Sequence, residues 1–385
     1  MTTGANAQDQ GWRSRWGSLL VLILIGILST ANGAALEITN VRAEPRVVAP
    51  RQDAVVSIVF RLSDAARVAL QIYDGRDLLV RRIQSDGPLP AGDASLSWDV
   101  RDQSGRLVPP EAYTFTLRAI NEAGAPVEHD LTDLTGSGEV LATDVHWDAS
   151  AGVVRYRLPA PARVNIRIGL KDDGPLLRTL IDWVPRDAGE HQEPWDGRDA
   201  SGVLTLTEHP GLTIAIDAFA LSDNSILVNP PQTDAQLIAD LPWGEEQRVV
   251  KRTPGKQMQS HAQQALTERG DYHIDLTLPP GLPTDAEGLP MVAGIVPIRL
   301  DIQSADRGRA LARRFEPVFF VDGTFAFENE VGFLPMTWRW DSRGVNPGVH
   351  FVTVNLRGYE GNFGMATIRV RVRSDSDQGP VESQQ

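Results

Sequence analysis

The chain has 385 residues, a formal charge of −13 at pH 7, ordinary hydrophobic content at 42%, and no cysteine. That length holds roughly two to four domains, each with its own core. Lack of cysteine excludes a thiol nucleophile, disulfides, covalent haem attachment, a cysteine zinc site and a cysteine-linked lipid anchor. An acidic chain without a Lys/Arg run repels phosphate backbones, so no nucleic-acid partner is expected.

The N-terminus reads as an address. Arg13 and Arg15 precede the apolar run Trp16 to Leu28, and small residues follow through Ala35. A basic start, a short apolar core and a small-residue exit are the pattern of a secretory signal peptide, here residues 1–34. Cleavage fits after Gly33, Ala34 or Ala35; a retained anchor is the alternative, and the only membrane contact expected. Either way the rest of the chain is exported. An exported chain of this size without cysteine fits a bacterial periplasm or cell surface.

After residue 40 the dominant periodicity is two, which half-buried antiparallel strands require because successive side chains face opposite sides of the sheet. Val56 to Leu62, Val68 to Ile72 and Tyr113 to Ala119 alternate in this way. Clusters of Gly, Pro, Asp and Asn punctuate these runs at short intervals, as in a sandwich. The same order of strands then recurs. RLSDAARV at 61–68 is answered by RLPAPARV at 157–164, and LLVR at 78–81 by PLLR at 175–178. WDVRDQSG at 98–105 returns as WDGRDASG at 195–202. Strands of the second copy are expected at Val154 to Leu158, Val164 to Ile168 and Leu212 to Ala218. A repeat of this length is a duplicated domain. A weaker third copy carries Ile295 to Ile302, Pro317 to Val321, Trp340-Asp341, His350 to Leu356 and Ala366 to Arg373. Only Gln257 to Arg269 reads as moderately helix-prone. The fold expected is all-β, with domains at 36–120, 151–225 and 286–374. Residues 121–150 and 226–285 read as connecting segments or elaborations, and 375–385 as a disordered tail.

The first copy, Ile38 to Ala119, resembles the Ig-like domain of the flagellar hook-capping protein family (FlgD-type). The resemblance rests on Leu79-Val80-Arg81, Gly92, the WDxRDxSG octet, Pro109 and Tyr113. The second copy keeps Gly189, Trp195, Asp196, Arg198, Asp199 and Gly202, then departs from the pattern at LTLTEHPGLTI. The third domain looks like a more general bacterial Ig-like module. The resemblance implies tandem Ig-like or fibronectin-III-like sandwiches. It does not carry over hook capping, because hook-capping proteins have a long non-Ig N-terminal assembly region and no such export signal.

Each octet residue has a folding role. Trp98 and Trp195 are expected to be core residues at the end of a central strand, with Trp340 in the same place in the third domain. Asp99 and Asp196 can bond backbone two residues on and start a turn, to which Asp102 and Asp199 also belong; Trp340-Asp341 begins a shorter turn in the third domain. Arg101 and Arg198 are expected to pair with a neighbouring aspartate, and Gly105 and Gly202 to supply positive φ. Calcium on the octet carboxylates is the functional rival, disfavoured because two carboxylates with an arginine between them fall short of six to eight oxygens.

Catalytic, metal and cofactor signals are missing. The seven histidines form no H-E-x-x-H or paired ligand pattern, and there is no nucleophile elbow, S-x-x-K or phosphate loop. Binding is the better use of such a scaffold. Trp147, Trp243 and Tyr359 are the candidate contact residues, on loops of a rigid sandwich. Two functions stay open: an exported, non-enzymatic scaffold for an envelope or surface protein partner, or a carbohydrate-binding accessory protein using exposed tryptophans.

Overall fold

The computed structural model describes residues 35–229 and 269–373, except 133 and 360. The expected signal peptide, the helix-prone stretch before Arg269, Trp243 and the C-terminal tail lie outside the described residues. No described helix is long and apolar enough to cross a membrane.

The described chain is all-β. The first sandwich has one sheet of β1 (Ile38–Glu44), β3 (Val56–Leu62) and β6 (Gly92–Trp98), in the order β1-β3-β6. Its second sheet centres on β4 (Ala66–Tyr73), flanked by β5 (Leu79–Gln84) and β7 (Glu111–Asn121). In β3 the residues Val56, Ile58, Phe60 and Leu62 face inward, as alternation requires. The core between the sheets holds Trp98, Tyr113, Phe115, Leu70 and Ile72.

This sandwich is not built from one continuous stretch. The strand β15 (Ser225–Val228) pairs antiparallel with the start of β7, Ser225 opposite Thr114 and Val228 opposite Glu111. It also runs parallel to the short β2 (Val47–Val48). Ile226 and Val228 enter the first core, both fully buried. The chain thus leaves the first sandwich, builds the second, and returns to close the first one's sheet. The boundary expected near 225 falls inside that returning strand. All four residues of β15 are buried, so it has no polar face and no alternation to mark it as a strand.

The second sandwich stacks β9 (Thr143–Asp148), β10 (Val153–Leu158) and β13 (Gly189–Pro194) against β11 (Ala162–Leu170), β12 (Leu176–Arg186) and β14 (Leu212–Ala220). The orders are β13-β10-β9 and β12-β11-β14. The segment expected to connect the two copies contributes β9 to the second sandwich and β8 (Pro126–His129) to the first, where it pairs with β7. Both are set by tight turns. The Asn121 carboxamide accepts from the amide of Ala125, and the Asp148 carboxylate accepts from those of Ser150 and Ala151.

The third sandwich pairs the order β16-β18-β21 with β17-β23-β22-β19-β20. The first sheet is β16 (Ile274–Thr277), β18 (Ile295–Ile302) and β21 (Met336–Asp341). The second is β17 (Met291–Val292), β19 (Phe315–Val321), β20 (Thr324–Glu328), β22 (Gly348–Gly358) and β23 (Phe363–Val372). It therefore begins upstream of the boundary expected at 286, because β16 pairs with β18. A short helix, α1 (Ser304–Leu311), joins β18 to β19; its eight residues carry no apolar stripe to betray it.

Candidate functional site

The repeated octet closes the same turn twice. Trp98 ends β6 and Trp195 follows β13, both outer strands of their sheets rather than central ones. Each indole is buried, and each donates its N–H to a carbonyl three residues on, Arg101 and Arg198, at 2.9 Å. The Asp102 carboxylate accepts from the Ser104 amide and hydroxyl and from the backbone and side chain of Arg106. Partial burial opposes its charge, yet these hydrogen bonds hold its pKa below the usual aspartate value. Asp199 is used in the same way by the amides of Ser201, Val203 and Leu204. Gly105 and Gly202 have φ of +83° and +68°, as the reversal demands.

The arginines act differently from expectation. Arg101 and Arg198 reach the carbonyls of Gly105 and Gly202, at 2.8 and 3.0 Å, and do not pair with the octet aspartates. A guanidinium folded into so short a loop meets backbone oxygen first. The pairing with Asp99 and Asp196 comes from Arg81 and Arg178, the last residues of the repeated LLVR and PLLR. Arg81 also holds the Asp102 carbonyl, and Arg178 those of Arg198 and Asp199. The two repeated motifs are thus halves of one device, a strand arginine clamping a turn. These contacts occupy the carboxylates that calcium would need. Among the described residues no group of three His, Asp or Glu side chains is placed to hold a metal ion.

Two octet positions differ between the copies, Val100/Gly197 and Gln103/Ala200, and the first of them bears on the backbone. Val100 takes φ of +54° while fully buried, where the second copy has Gly197 at +76°. A β-branched residue there is strained by on the order of 1–3 kcal/mol. In the first copy the buried valyl side chain offsets this. In the second, a Cβ on Gly197 would stand 2.4 Å from the Thr207 methyl, so any side chain there would have to displace Thr207.

The described tryptophans are buried or half-buried. Trp147 lies on β9, half-buried, with its ring edge-on to Trp195 at 4.8 Å. In the first copy the edge-on ring against Trp98 is Tyr113 of β7, from the facing sheet, at 5.4 Å. Trp183 stacks on Phe219, and Trp338 and Trp340 lie within the third core. In the third domain Asp341 begins a single 3-10 turn, and the Arg343 side chain and amide pull its carboxyl down to about 2. Tyr359 is exposed, at 64%.

The feature that sequence reasoning missed is where the three sandwiches meet. Glu111 of β7 is buried, and its carboxylate accepts from Arg163 of β11 and from Arg269, each at 2.6 Å. Burial opposes the charge on Glu111, but the two guanidiniums outweigh it and keep the pKa below its usual value. Arg163 is buried as deeply as its partner. One carboxylate therefore joins the first sandwich, the second, and the segment entering the third.

Further contacts extend the seam. Asn224, just before β15, donates its amide to the Phe115 carbonyl at 2.7 Å. Between the second and third sandwiches, Arg167 stacks on the Phe363 ring at 4.4 Å and donates to the Gly361 carbonyl. The Asn355 carboxamide pairs with both backbone groups of Leu176, at 2.8 and 2.7 Å. Asp182 accepts from the Gly270 amide, and Ser201 of the second octet accepts from the Thr367 amide. Arg309 of α1 holds the carbonyls of Gly270 and Asp271 and covers the Tyr272 ring. Lone glutamates and arginines on alternating strands look solvent-facing, and no local signal marks them otherwise.

Residues 48–123 match the model of the FlgD Ig-like domain. No curated protein sequence matches the chain. Among solved structures, FlgD from P. aeruginosa aligns at 24% identity over 24% of this chain and 67% of its own, with a TM-score of 0.20. Fibronectin(III)-like modules of Clostridium thermocellum CbhA align at 10% identity over 89% of this chain and 100% of theirs, with a TM-score of 0.21. A bacterial ice-binding adhesin aligns at 11% identity over 89% of this chain and 100% of its own, with a TM-score of 0.18. Residues 48–123 thus match the FlgD Ig-like domain, within an all-β chain of tandem Ig-like sandwiches.

Proposed function

We propose that the protein is an exported, non-enzymatic structural protein of the bacterial envelope or cell surface, whose locked sandwiches space and present protein-binding surfaces. The observation that carries this reading is the junction at Glu111, where a buried charge pair and a returning strand tie the modules into one body. Relative motion is the default for sandwiches in tandem, and a chain that suppresses it is built to hold positions. The described tryptophans are buried or half-buried, and Trp147 packs on the Trp195 ring, which favours protein contact over glycan stacking.

The test is a pull-down of the tagged, exported protein from its native envelope, read by mass spectrometry against an untagged control. A stoichiometric protein partner supports the scaffold reading. Recovery of a lone monomer, together with retention on a glycan array, would replace it with the carbohydrate-binding alternative.

A further inference from the structure

The duplication allows the two central sheets to be compared residue by residue. In the second sandwich the outward face of β11 carries Arg163, Asn165 and Arg167, and both neighbouring sandwiches dock on it. Arg163 takes the carboxylate of Glu111, and Arg167 takes the Gly361 carbonyl and the Phe363 ring. The repeat RLSDAARV/RLPAPARV aligns Arg67 with Arg163 and Ala69 with Asn165. In the first sandwich the corresponding face is open: Arg67, Arg82, Gln84, Arg118 and Ile120 are all exposed.

Strand register explains the shape of that face. Ala69 lies opposite Gln84 on β5 and Arg118 on β7, with Arg67 two residues before it and Arg82 on the diagonal. A small side chain ringed by long ones leaves a hollow, here about 310 Å³, with Ala69 at its floor. The side chains of Arg67, Arg82 and Arg118 have no carboxylate or hydrogen-bond partner among the described residues. Glu128 stands opposite Arg118 in register without forming an ion pair. Across β4, β5 and β7, Arg67 stands opposite Ile120, Arg82 opposite Gln71 and Arg118 opposite Ala69. In a chain of net charge −13 these arginines would be expected to carry local partners.

We propose that this hollow docks an acidic segment of a partner protein, its Asp or Glu carboxylates gripped by Arg67, Arg82 and Arg118 as Arg163 grips Glu111. Guanidinium forks match carboxylates in pairs, which suits a cluster of arginines to an acidic chain. No aromatic residue lines the hollow, so a sugar ring has nothing to stack on. The inference rests on the scaffold reading and specifies the surface that reading would use.

The experiment is fluorescence anisotropy of fluorescein-labelled hexaglutamate with the full chain. Three proteins are compared: wild type, R67Q/R82Q/R118Q, and R51Q/R314Q/R339Q, which removes the same charge from exposed arginines elsewhere. Saturable binding that weakens at least tenfold in the first variant and stays within twofold in the second supports the docking face. Equal weakening in both variants, no binding by wild type, or stronger competition by oligogalacturonate or inorganic phosphate than by unlabelled peptide would overturn it. Circular dichroism melts check the fold, and the single variants R67Q and R118Q replace the triple if it fails to fold. The envelope pull-down with the same variants separates the two claims. A partner held equally by wild type and the R67Q/R82Q/R118Q protein sinks this face and leaves the scaffold; no partner with any of them sinks both.

Discussion

At Trp98 and Trp195 one indole-to-carbonyl bond closes two turns, and the surrounding residues exist to hold it. Each indole fills a core, so Trp98→Ala or Trp195→Ala is expected to cost about 3–5 kcal/mol. Thermal or urea denaturation checks this, and near-native stability in both would contradict a structural role for the octet. Glu111 makes the sharper case. Breaking a buried ion pair strands the surviving charge, so Glu111→Gln, which leaves Arg163 buried and unpaired, is expected to cost about 3–5 kcal/mol at pH 7. The sign with pH follows from the lowered pKa. The stability contributed by ionised Glu111 is fully present above its usual pKa of 4.5 and is lost as pH falls through the lowered value. The gap between wild type and variant therefore closes towards acid. Asp182 has the opposite sign. Burial, with Asp271 nearby, raises its pKa above the usual value, despite the hydrogen bond from Gly270, so its charge costs stability at neutral pH. Asp182→Asn is expected to be no less stable than wild type at pH 7, since the new amide can donate to the unpartnered Asn165 Oδ1 after that side chain turns over. Its advantage disappears near pH 3, where Asp182 is already protonated; melting curves at the two pH values read both effects.

Among the elements, the strands with one wet face were legible and those covered on both sides were not. β3 and β18 run over the residues that alternation predicts, Val56–Leu62 and Ile295–Ile302, because each has polar side chains facing out. β15 has no such face, and its SILV reads as part of a connection. The outward side of β11 misleads in the other direction. Arg163, Asn165 and Arg167 alternate with apolar residues as if solvated, yet neighbouring sandwiches cover them. Sequence patterning reports polarity, and polarity separates water from apolar core but not water from a charged seam. The octet turns were legible in outline because Asp and Gly have strong local preferences. The clamp from Arg81 and Arg178 depends on strand placement and was not. For β15 the expectation is direct. Ile226→Ala should lower stability by about 2–5 kcal/mol through loss of first-sandwich packing, although residue 226 follows the second copy. A first sandwich ending at residue 130 should leave the β7 edge at Glu111 to Thr114 unpaired and self-associate. Adding a peptide of residues 222–229 should restore the monomer, as light scattering would show.

Across the whole molecule Glu111, β15 and the seam around Asn355 and Arg167 tie the sandwiches together, and the proposed scaffold requires them to move as one body. The complete absence of cysteine makes this directly measurable, because two introduced cysteines are the only attachment points for a label. Spin labels at Asp86→Cys, on an exposed turn of the first sandwich, and Glu330→Cys, on an exposed loop of the third, report the distance across the junction. The account predicts a single narrow distance distribution at pH 7 that broadens when Glu111→Gln is added. A broad distribution in the otherwise wild-type protein would show that the modules move independently and would contradict the scaffold account.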